Sequence, residues 1–319
     1  MWRKWSAGIT GANTTFCSMR FSIWPTTQQP WSDIVDVATH ADSTGWDGCW
    51  IADHFMGDGS SFGSESTPTH EVLATLGALG ALTNRIDLGS LVLGASYRHP
   101  AVVANWAATI SHATSGRIRL GLGAGWQVNE HVQYGWPLPT PGQRVARFEE
   151  YLVAVRSLLE LPSTTIDGDW YQLTDAVSEP KPIAPIPLVV GAKGDRMLGI
   201  VARHADGWNM WGLPDTIAGR ANELDRRCAA IDRDPATIDR SCQALVCVTS
   251  SAVEANEFVA RNQPRAAIAG PTEHVVEVIG AWRDVGIGEV IVPDWTLGSG
   301  SARKDLLDEL LMALRSAFA

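Results

Sequence analysis

His54 is the side chain of this sequence best suited to proton chemistry. It follows a short apolar run, Gly48 to Ala52, which has the length and composition of a buried strand. A neutral imidazole can donate a hydrogen bond to a ring carbonyl or move a proton near neutral pH. Asp53, directly before it, either orients the imidazole or supports the loop backbone. The alternative for His54 is a loop histidine that only packs or caps.

The run Gly191-Ala192-Lys193-Gly194 is a candidate anion site. It lies between an apolar run and a predicted helix that begins at Asp195. Backbone N–H groups at a helix start bind phosphate, and Lys193 adds a positive charge. A turn that only connects a strand to a helix is the alternative interpretation.

Trp126 and His99 are candidates for contact with a flat ligand. Trp126 follows Gly125 at the end of a glycine-rich run, where its indole could form an aromatic wall. The alternative for Trp126 is packing at the rim of the fold. His99 precedes Pro100 and either lines the ligand face or shapes the entry to a helix.

Other familiar motifs do not explain the sequence. The run Gly121 to Gly125 is not a dinucleotide fingerprint, because Trp126 stands where the third glycine of GxGxxG belongs. The eight histidines form no HxH or HExxH motif, and there is no GxSxG. We therefore predict no metal site. The five cysteines show no CxxC, which favours reduced, buried thiols.

The candidate residues lie after apolar runs that alternate with helical segments. Alternation of this kind predicts a parallel sheet, and about eight strands predict closure into a (β/α)8 TIM barrel. A doubly wound open sheet is the alternative. In a TIM barrel, function lies at the carboxyl ends of the strands. The predicted strands are Met19–Trp24, Gly48–Ala52, Asp87–Val92, Ile118–Gly123, Leu188–Val190, Gly207–Met210, a strand near Gln243–Val248, and Glu289–Val292.

Several segments resemble the luciferase-like monooxygenase superfamily, and in particular its branch of oxidoreductases that use the deazaflavin coenzyme F420. The resemblance extends from about Met19 to the C-terminus, and it depends on the order of the motifs along the chain. The matching segments are Gly45–Phe55, Arg98-His99-Pro100, Ala107–Thr109, Ser115–Arg117, Leu120–Trp126, Gly191–Gly194 and Ala205–Asn209.

This resemblance implies a TIM barrel with insertions at the carboxyl face and a deazaflavin ring at the barrel mouth. It also implies a non-prolyl cis peptide under the ring, at Ser90-Leu91. Deazaflavin sugar-phosphate dehydrogenases of the superfamily carry a glutamate after the glycine run, where this chain has Trp126, which speaks against that substrate class. Luciferase carries a cysteine and an arginine where this chain has Gly123 and Ala124.

Composition and charge limit the partners. The 319 residues carry a net charge of −10, which argues against nucleic acid or an anionic membrane as the main partner. We expect an N-terminal extension over residues 1–18, which has no apolar segment of the kind found in signal peptides, and one domain over 19–319. We expect a cytoplasmic enzyme with a small-molecule substrate, and family resemblance alone suggests a homodimer.

Three functions agree with the sequence. The first is an oxidoreductase that transfers a hydride between coenzyme F420 and an organic substrate, with His54 polarising or protonating the reacting group. The second is a monooxygenase that uses reduced FMN and O₂, and the third is a coenzyme-binding protein without turnover. We expect three loops to shape the substrate site: Gly57–Pro68, Gln127–Pro141 and Pro162–Pro187.

Overall fold

The computed structural model describes residues 19–59 and 62–318. The predicted extension over residues 1–18, including Cys17, lies outside them. The described strands are β1 (Arg20–Trp24), β2 (Gly48–Ile51), β3 (Asp87–Ser90), β4 (Leu93–Gly94), β5 (Ile118–Gly123), β6 (Thr164–Asp167), β7 (Gln172–Ala176), β8 (Leu188–Gly191), β9 (Gly207–Trp211), β10 (Asp239–Gln243), β11 (Leu245–Val248), β12 (Ala267–Gly270) and β13 (Glu289–Pro293).

Helices separate most of these strands and cover the outside of the sheet. They are α1 (Trp31–Thr44), α2 (Val72–Leu82), α3 (Pro100–Ala113), α4 (Val128–Tyr134), α5 (Pro141–Glu160), α6 (Asp195–His204), α7 (Pro214–Ala229), α8 (Ala252–Asn262), α9 (Thr272–Asp284) and α10 (Gly300–Ala317). None of the helices within the described residues is long and apolar enough to cross a membrane.

Nine strands form one parallel sheet that closes into a barrel. Their order is β3-β2-β1-β13-β10-β9-β8-β5-β4, and β3 also pairs with β5, so that β3 and β4 together occupy one of eight positions. The predicted (β/α)8 barrel is therefore confirmed. Because all eight positions run parallel, their carboxyl ends meet at one rim, which is where loops can converge on a ligand.

Local sequence accounts for the helices around the barrel. Apolar residues recur at helical spacing along α1 and form its buried face: Ile34, Val37, Ala38 and Ala41. Helix α5 begins with a capping box, in which Thr140 and Gln143 satisfy each other's backbone N–H groups. The N-cap of α2 is Glu71, whose carboxylate accepts from the backbone N–H of Ala74.

The seventh barrel strand differs from its prediction. The barrel position is taken by β10, which pairs with β9 and β13 and begins four residues before the predicted strand near Gln243–Val248. The more apolar β11 leaves the barrel and pairs in parallel with β12 instead. Helix α8 and β12 thus form an insertion on the barrel. Hydrophobicity alone misled the prediction, because a strand that supports an insertion is buried as well.

Two smaller predictions are also resolved by the fold. The antiparallel pair β6–β7 forms a hairpin around Asp167-Gly168. Within the segment read as the loop Gln127–Pro141, the chain forms the short helix α4, which the sequence analysis missed. Among the described cysteines, all four are free and buried, as predicted.

Candidate active site

A cavity of about 830 Å³ opens at the carboxyl rim of the barrel. This volume is within the usual range for a site that encloses a small-molecule ligand. Eight of the predicted site residues line it, and they come from the ends of four different strands. They are Asp53, His54, Leu91, Gly125, Trp126, Gly191, Ala192 and Lys193.

Three predicted site residues do not line the cavity. Ser90 is buried below it, where its hydroxyl donates to the carbonyl of Gly121 at 2.8 Å. His99 is exposed and caps α3 by accepting from the backbone N–H of Ala101, so the structure favours the turn interpretation over a ligand contact. Gly194 takes the N-cap position of α6.

His54 is held by a buried carboxylate from the next loop. Its Nδ1 lies 3.3 Å from Oε2 of Glu130, whose side chain is 0% exposed. The ring of His54 also contacts the rings of Trp126 and Phe62, with centroids 5.4 and 6.1 Å apart. The imidazole therefore has a fixed place in the cavity wall, with its tautomer set by Glu130.

Glu130 is surrounded by donors. The backbone N–H of Phe55 donates to it at 2.5 Å, and the hydroxyl of Tyr97 donates to its second oxygen. Burial alone would raise the pKa of Glu130, but the hydrogen bonds from His54, Tyr97 and Phe55 outweigh it and hold that pKa below its ordinary value. Glu130 is thus a carboxylate near neutral pH, and His54 donates to it through Nδ1–H.

Asp53 supports the loop backbone and does not orient His54. Its carboxylate accepts two hydrogen bonds from Arg98, at 2.7 and 3.0 Å, and one from the backbone N–H of Gly94 at 2.9 Å. Arg98 also pairs with Glu71 at 2.6 Å. This network connects the end of β2 with the loop before α3, so the second of the two roles considered for Asp53 is the one observed.

The wall formed by β4, β5 and β8 carries almost no side chains. A Cβ atom at Gly123 would lie 2.7 Å from Cγ2 of Val92, and one at Gly191 would lie 3.2 Å from the same atom. The non-prolyl cis peptide is Leu91-Val92, one bond later than the predicted Ser90-Leu91. The flat, glycine-rich surface around Val92 fits a planar ring system.

The predicted anion site is partly assembled. Gly191, Ala192 and Lys193 line the cavity, and α6 begins directly behind them. The carboxylate of Asp195, in the first turn of α6, pairs with Arg220 at 2.8 Å. Lys193 thus brings a positive side chain to the cavity lining, which fits a ligand with an anionic tail.

The floor of the cavity consists of polar side chains that hydrogen-bond to one another. The side-chain amides of Asn209 and Gln243 bond to each other at 2.8 and 3.1 Å, and Asn209 also donates to Ser241 at 2.9 Å. Both amides line the cavity from β9 and β10. Because these polar groups already hydrogen-bond to one another, they form a rigid floor, and a ligand does not have to supply hydrogen-bond partners for them.

The predicted substrate loops contribute unequally. Among the described residues, the loop Gly57–Pro68 supplies Phe62, whereas Gln127–Pro141 and Pro162–Pro187 supply no lining side chain. The segment Gln263–Ala266, between α8 and β12, lines the cavity instead. The loop Gln127–Pro141 acts on the site indirectly, because its Glu130 contacts His54, and the part of both later loops in substrate selection stays a prediction.

Sequence reasoning also missed Glu130 and Tyr97. Glu130 lies on α4, in the segment that was read as a loop, and it follows the glycine run closely enough to return over the barrel mouth. The sequence offered little signal for Glu130, whose neighbours Asn129 and His131 are polar, and only the fold brings it to His54.

The chain is a (β/α)8 barrel with a cavity at the carboxyl ends of its strands. The family model described as luciferase-like monooxygenase matches residues 14–288, and the chain belongs to this family.

Among curated relatives, the F420-dependent glucose-6-phosphate dehydrogenase of Amycolatopsis mediterranei is 32% identical over 55% of this chain and 52% of its own length. The enzyme of the same name from Intrasporangium calvum is 33% identical over 63% and 58%. The chain thus spans about half the length of the curated relatives it matches.

Solved structures share the whole fold at low identity. An F420-dependent secondary alcohol dehydrogenase has a TM-score of 0.82 at 19% identity, covering 94% of this chain and 100% of that chain. The F420-dependent tetrahydromethanopterin reductase of Methanopyrus kandleri has a TM-score of 0.79 at 17% identity, with 95% and 100% covered. A long-chain alkane monooxygenase also reaches 0.79, at 13% identity over 95% and 92%. Such identities establish the fold alone.

Proposed function

We propose that this chain is an oxidoreductase that transfers a hydride between coenzyme F420 and an organic substrate. The observation that carries the proposal is the pairing of a flat, glycine-rich wall with a histidine whose tautomer is fixed. The wall around Val92 suits a planar ring, and His54 suits proton transfer beside it. The names of the curated relatives support coenzyme F420 as the planar ligand.

The residues that would hold the coenzyme divide by chemistry. Leu91, Val92 and Gly123 would pack against the ring, and Trp126 would close its edge at the mouth. Lys193, with the backbone that leads into α6, would meet the anionic tail. When bound, the coenzyme supplies the hydride acceptor or donor, so the protein has only to position the reactants and move the proton.

His54 would move that proton. Because Nδ1–H is committed to Glu130, Nε2 is the nitrogen that can accept a proton from a substrate hydroxyl. The Glu130 carboxylate then stabilises the imidazolium that forms, by a charge-assisted hydrogen bond. In the direction of substrate reduction, the same Nε2–H donates to the carbonyl oxygen.

The surroundings of His54 would keep water away from the reacting atoms. Indole and phenyl rings border it on two sides, and the Asn209–Gln243 floor offers few unsatisfied polar atoms. Exclusion of water strengthens the interactions that align the reactants and limits side reactions. Cytoplasmic location and homodimer formation remain predictions.

The decisive experiment is a pair of titrations of the purified protein. Oxidised coenzyme F420 and FMN are added separately, and quenching of tryptophan fluorescence is followed; Trp126 lies at the cavity mouth and should report binding. Tight binding of coenzyme F420 and weak binding of FMN would support the proposal. Tighter binding of FMN, with O₂ consumption when a flavin reductase is supplied, would replace it by the monooxygenase. Tight coenzyme binding without any substrate-dependent redox change would leave a binding protein.

A further inference from the structure

Helix α4 carries Glu130 and has little stability of its own. It comprises 7 residues, a length at which a helix depends on contacts with the rest of the fold. Its side chains Val128 and Val132 are exposed, whereas Glu130 and His131 form its buried face. The position of the carboxylate that meets His54 is therefore set by the contacts of this buried face.

His131 is fixed by both of its ring nitrogens. Its Nδ1 lies 2.7 Å from the carbonyl oxygen of Gln127, at the start of the same helix, and its Nε2 lies 2.9 Å from Oγ of Ser96, in the loop after β4. Because a carbonyl oxygen can only accept, Nδ1 carries the proton, and Nε2 of the neutral ring accepts from the hydroxyl of Ser96. The ring also packs on that of Tyr97 in the same loop, with centroids 5.1 Å apart. The imidazole thus connects α4 with the loop after β4.

Ser96 is a firm anchor for this connection. The backbone N–H of Ala95 donates to the carbonyl oxygen of Gly123 on β5 at 2.9 Å, which holds the loop on the barrel. A Cβ atom at Gly125 would lie 2.6 Å from Oγ of Ser96, so the hydroxyl packs directly against the glycine run. A helix bonded to Ser96 therefore has a fixed distance from the barrel rim.

Other side chains of α4 hold the loop after β2, which contains the candidate proton-transfer histidine. The side-chain amide of Gln127 donates to the carbonyl oxygen of Met56 at 3.0 Å, and that of Asn129 donates to the carbonyl oxygen of Gly57 at 2.9 Å. Helix α4 therefore bridges the loops after β2 and β4, and His131 is a buried link to the second of them.

The contact that this bridge maintains is sensitive to small displacements. Oε2 of Glu130 lies 3.3 Å from Nδ1 of His54. A side-chain hydrogen bond is lost at about 3.6 Å, so an outward shift of α4 by about 0.3 Å would break this one. Such a shift needs no unfolding of the helix, only the loss of a contact that holds it to the rim.

We propose that His131 is a positioning residue, which ties α4 to Ser96 and thereby keeps the Glu130 carboxylate in contact with Nδ1 of His54. His131 does not line the cavity, so it acts through Glu130. Its consequence for turnover rests on the proposed function: loss of the link should lower kcat roughly three- to tenfold with KM nearly unchanged, because a catalytic group is displaced and not removed. Its effect on the tautomer of His54 depends on no coenzyme.

The test is nitrogen-15 NMR of the histidine rings in coenzyme-free protein at about pH 8.5, above the ordinary titration range of histidine. The signals of His54 are assigned by their absence from His54→Gln. His131→Phe keeps a ring beside Tyr97 but has no ring nitrogen. In this variant the difference between the Nδ1 and Nε2 shifts of His54 should shrink by roughly half or more, because both tautomers become populated once Nδ1 loses its acceptor. An unchanged difference would overturn the inference.

Two further variants examine the contact with Ser96. Ser96→Ala keeps the imidazole and removes its partner, so it tests the same link even where His131→Phe does not fold; it should change the His54 signals in the same direction, and native signals would count against the proposal. His131→Gln should recover much of the native difference, because its carboxamide can reach the hydroxyl of Ser96. A glutamine variant as impaired as the phenylalanine variant would contradict the role of that contact.

A control and a double variant separate positioning from general stability. His112→Phe is the matched control, because Nε2 of His112 lies 2.8 Å from the carbonyl oxygen of Lys181 on an exposed part of α3. It also loses a histidine hydrogen bond, yet its His54 signals should be native, and a change equal to that of His131→Phe would refute positioning. Added to Glu130→Gln, His131→Phe should change the His54 signals no further, since both act through one carboxylate. A further change would show another route.

These outcomes are separate from those of the proposed function. If the protein binds neither coenzyme F420 nor FMN, the proposed function fails, and the NMR comparison still decides the role of His131. Native His54 signals in both His131→Phe and Ser96→Ala, together with tight binding of coenzyme F420, would refute the inference and leave the proposed function standing.

Discussion

Replacement of Glu130 by glutamine tests the centre of the proposed mechanism. The backbone N–H of Phe55 donates to Oε1 of Glu130, so the amide oxygen of the variant should stay there. The new NH₂ group would then face Nδ1 of His54 and the hydroxyl of Tyr97. Because the NH₂ group donates, Nδ1 must become the acceptor, and neutral His54 would carry its proton on Nε2. That tautomer cannot take a proton from a substrate.

The size of the loss follows from the bond that is removed. A hydrogen bond to a charged group contributes about 1.5–3 kcal/mol, and each 1.36 kcal/mol is about tenfold in rate. We therefore expect kcat for alcohol oxidation to fall roughly ten- to hundredfold. The Nδ1–Oε2 distance of 3.3 Å is long for a charge-assisted bond, which places the expected loss near the lower end.

Two measurements distinguish the role of Glu130 in fixing the His54 tautomer from a purely structural role. Nitrogen-15 NMR of the histidine ring should report Nδ1–H in the native protein and Nε2–H in Glu130→Gln. Tyr97→Phe is the matched control, because it removes another donor to the same carboxylate and leaves the His54–Glu130 contact in place. Its kcat should fall much less. An unchanged tautomer, or equal losses in both variants, would refute the reasoning.

Three further perturbations test other parts of the structure. Lys193→Met should weaken coenzyme F420 binding about tenfold, because one partly screened charge is lost, and the effect should be smaller at high salt. Lys304→Met on α10 is the control in the same fluorescence titration. Equal weakening by both variants would contradict the role of Lys193. Gly121→Ala should prevent folding or lower Tm strongly, because its Cβ would lie 1.9 Å from the carbonyl oxygen of Ser90; a normal melting curve would contradict that packing. Burial raises the pKa of Asp294 from 3.8 to about 6. The folded form thus takes up a proton before the unfolded form, and the stability from this group is complete below about pH 4 and is lost as the pH rises through about 6. Asp294→Asn should remove up to about 3 kcal/mol of this pH dependence, two pKa units at 1.36 kcal/mol each, in urea denaturation between pH 4 and 7; parallel curves for both proteins would refute it.

Much of the fold was predictable because each barrel strand corresponds to a short apolar run that can be recognised in the local sequence. Apolar runs that end in glycine or aspartate, such as Gly48 to Ala52, alternate with helical segments, and eight repeats of that alternation leave closure as the natural solution. The rule that ligands bind at carboxyl ends then placed His54, Lys193 and Trp126 at one rim. The predictions were least accurate for β10 and β11, since both strands are buried and hydrophobicity could not tell them apart.

The sequence by itself determined the parallel barrel and the position of His54 at its carboxyl rim, because each follows from residue order along single elements. Only the tertiary structure decided which side chains meet. Glu130 reaches His54 because α4 folds back over the rim, and Trp24, Phe62 and Trp211 form one surface although nearly 190 positions separate them in sequence. Contacts between loops depend on the path of the chain through space, and no local pattern of residues encodes that path.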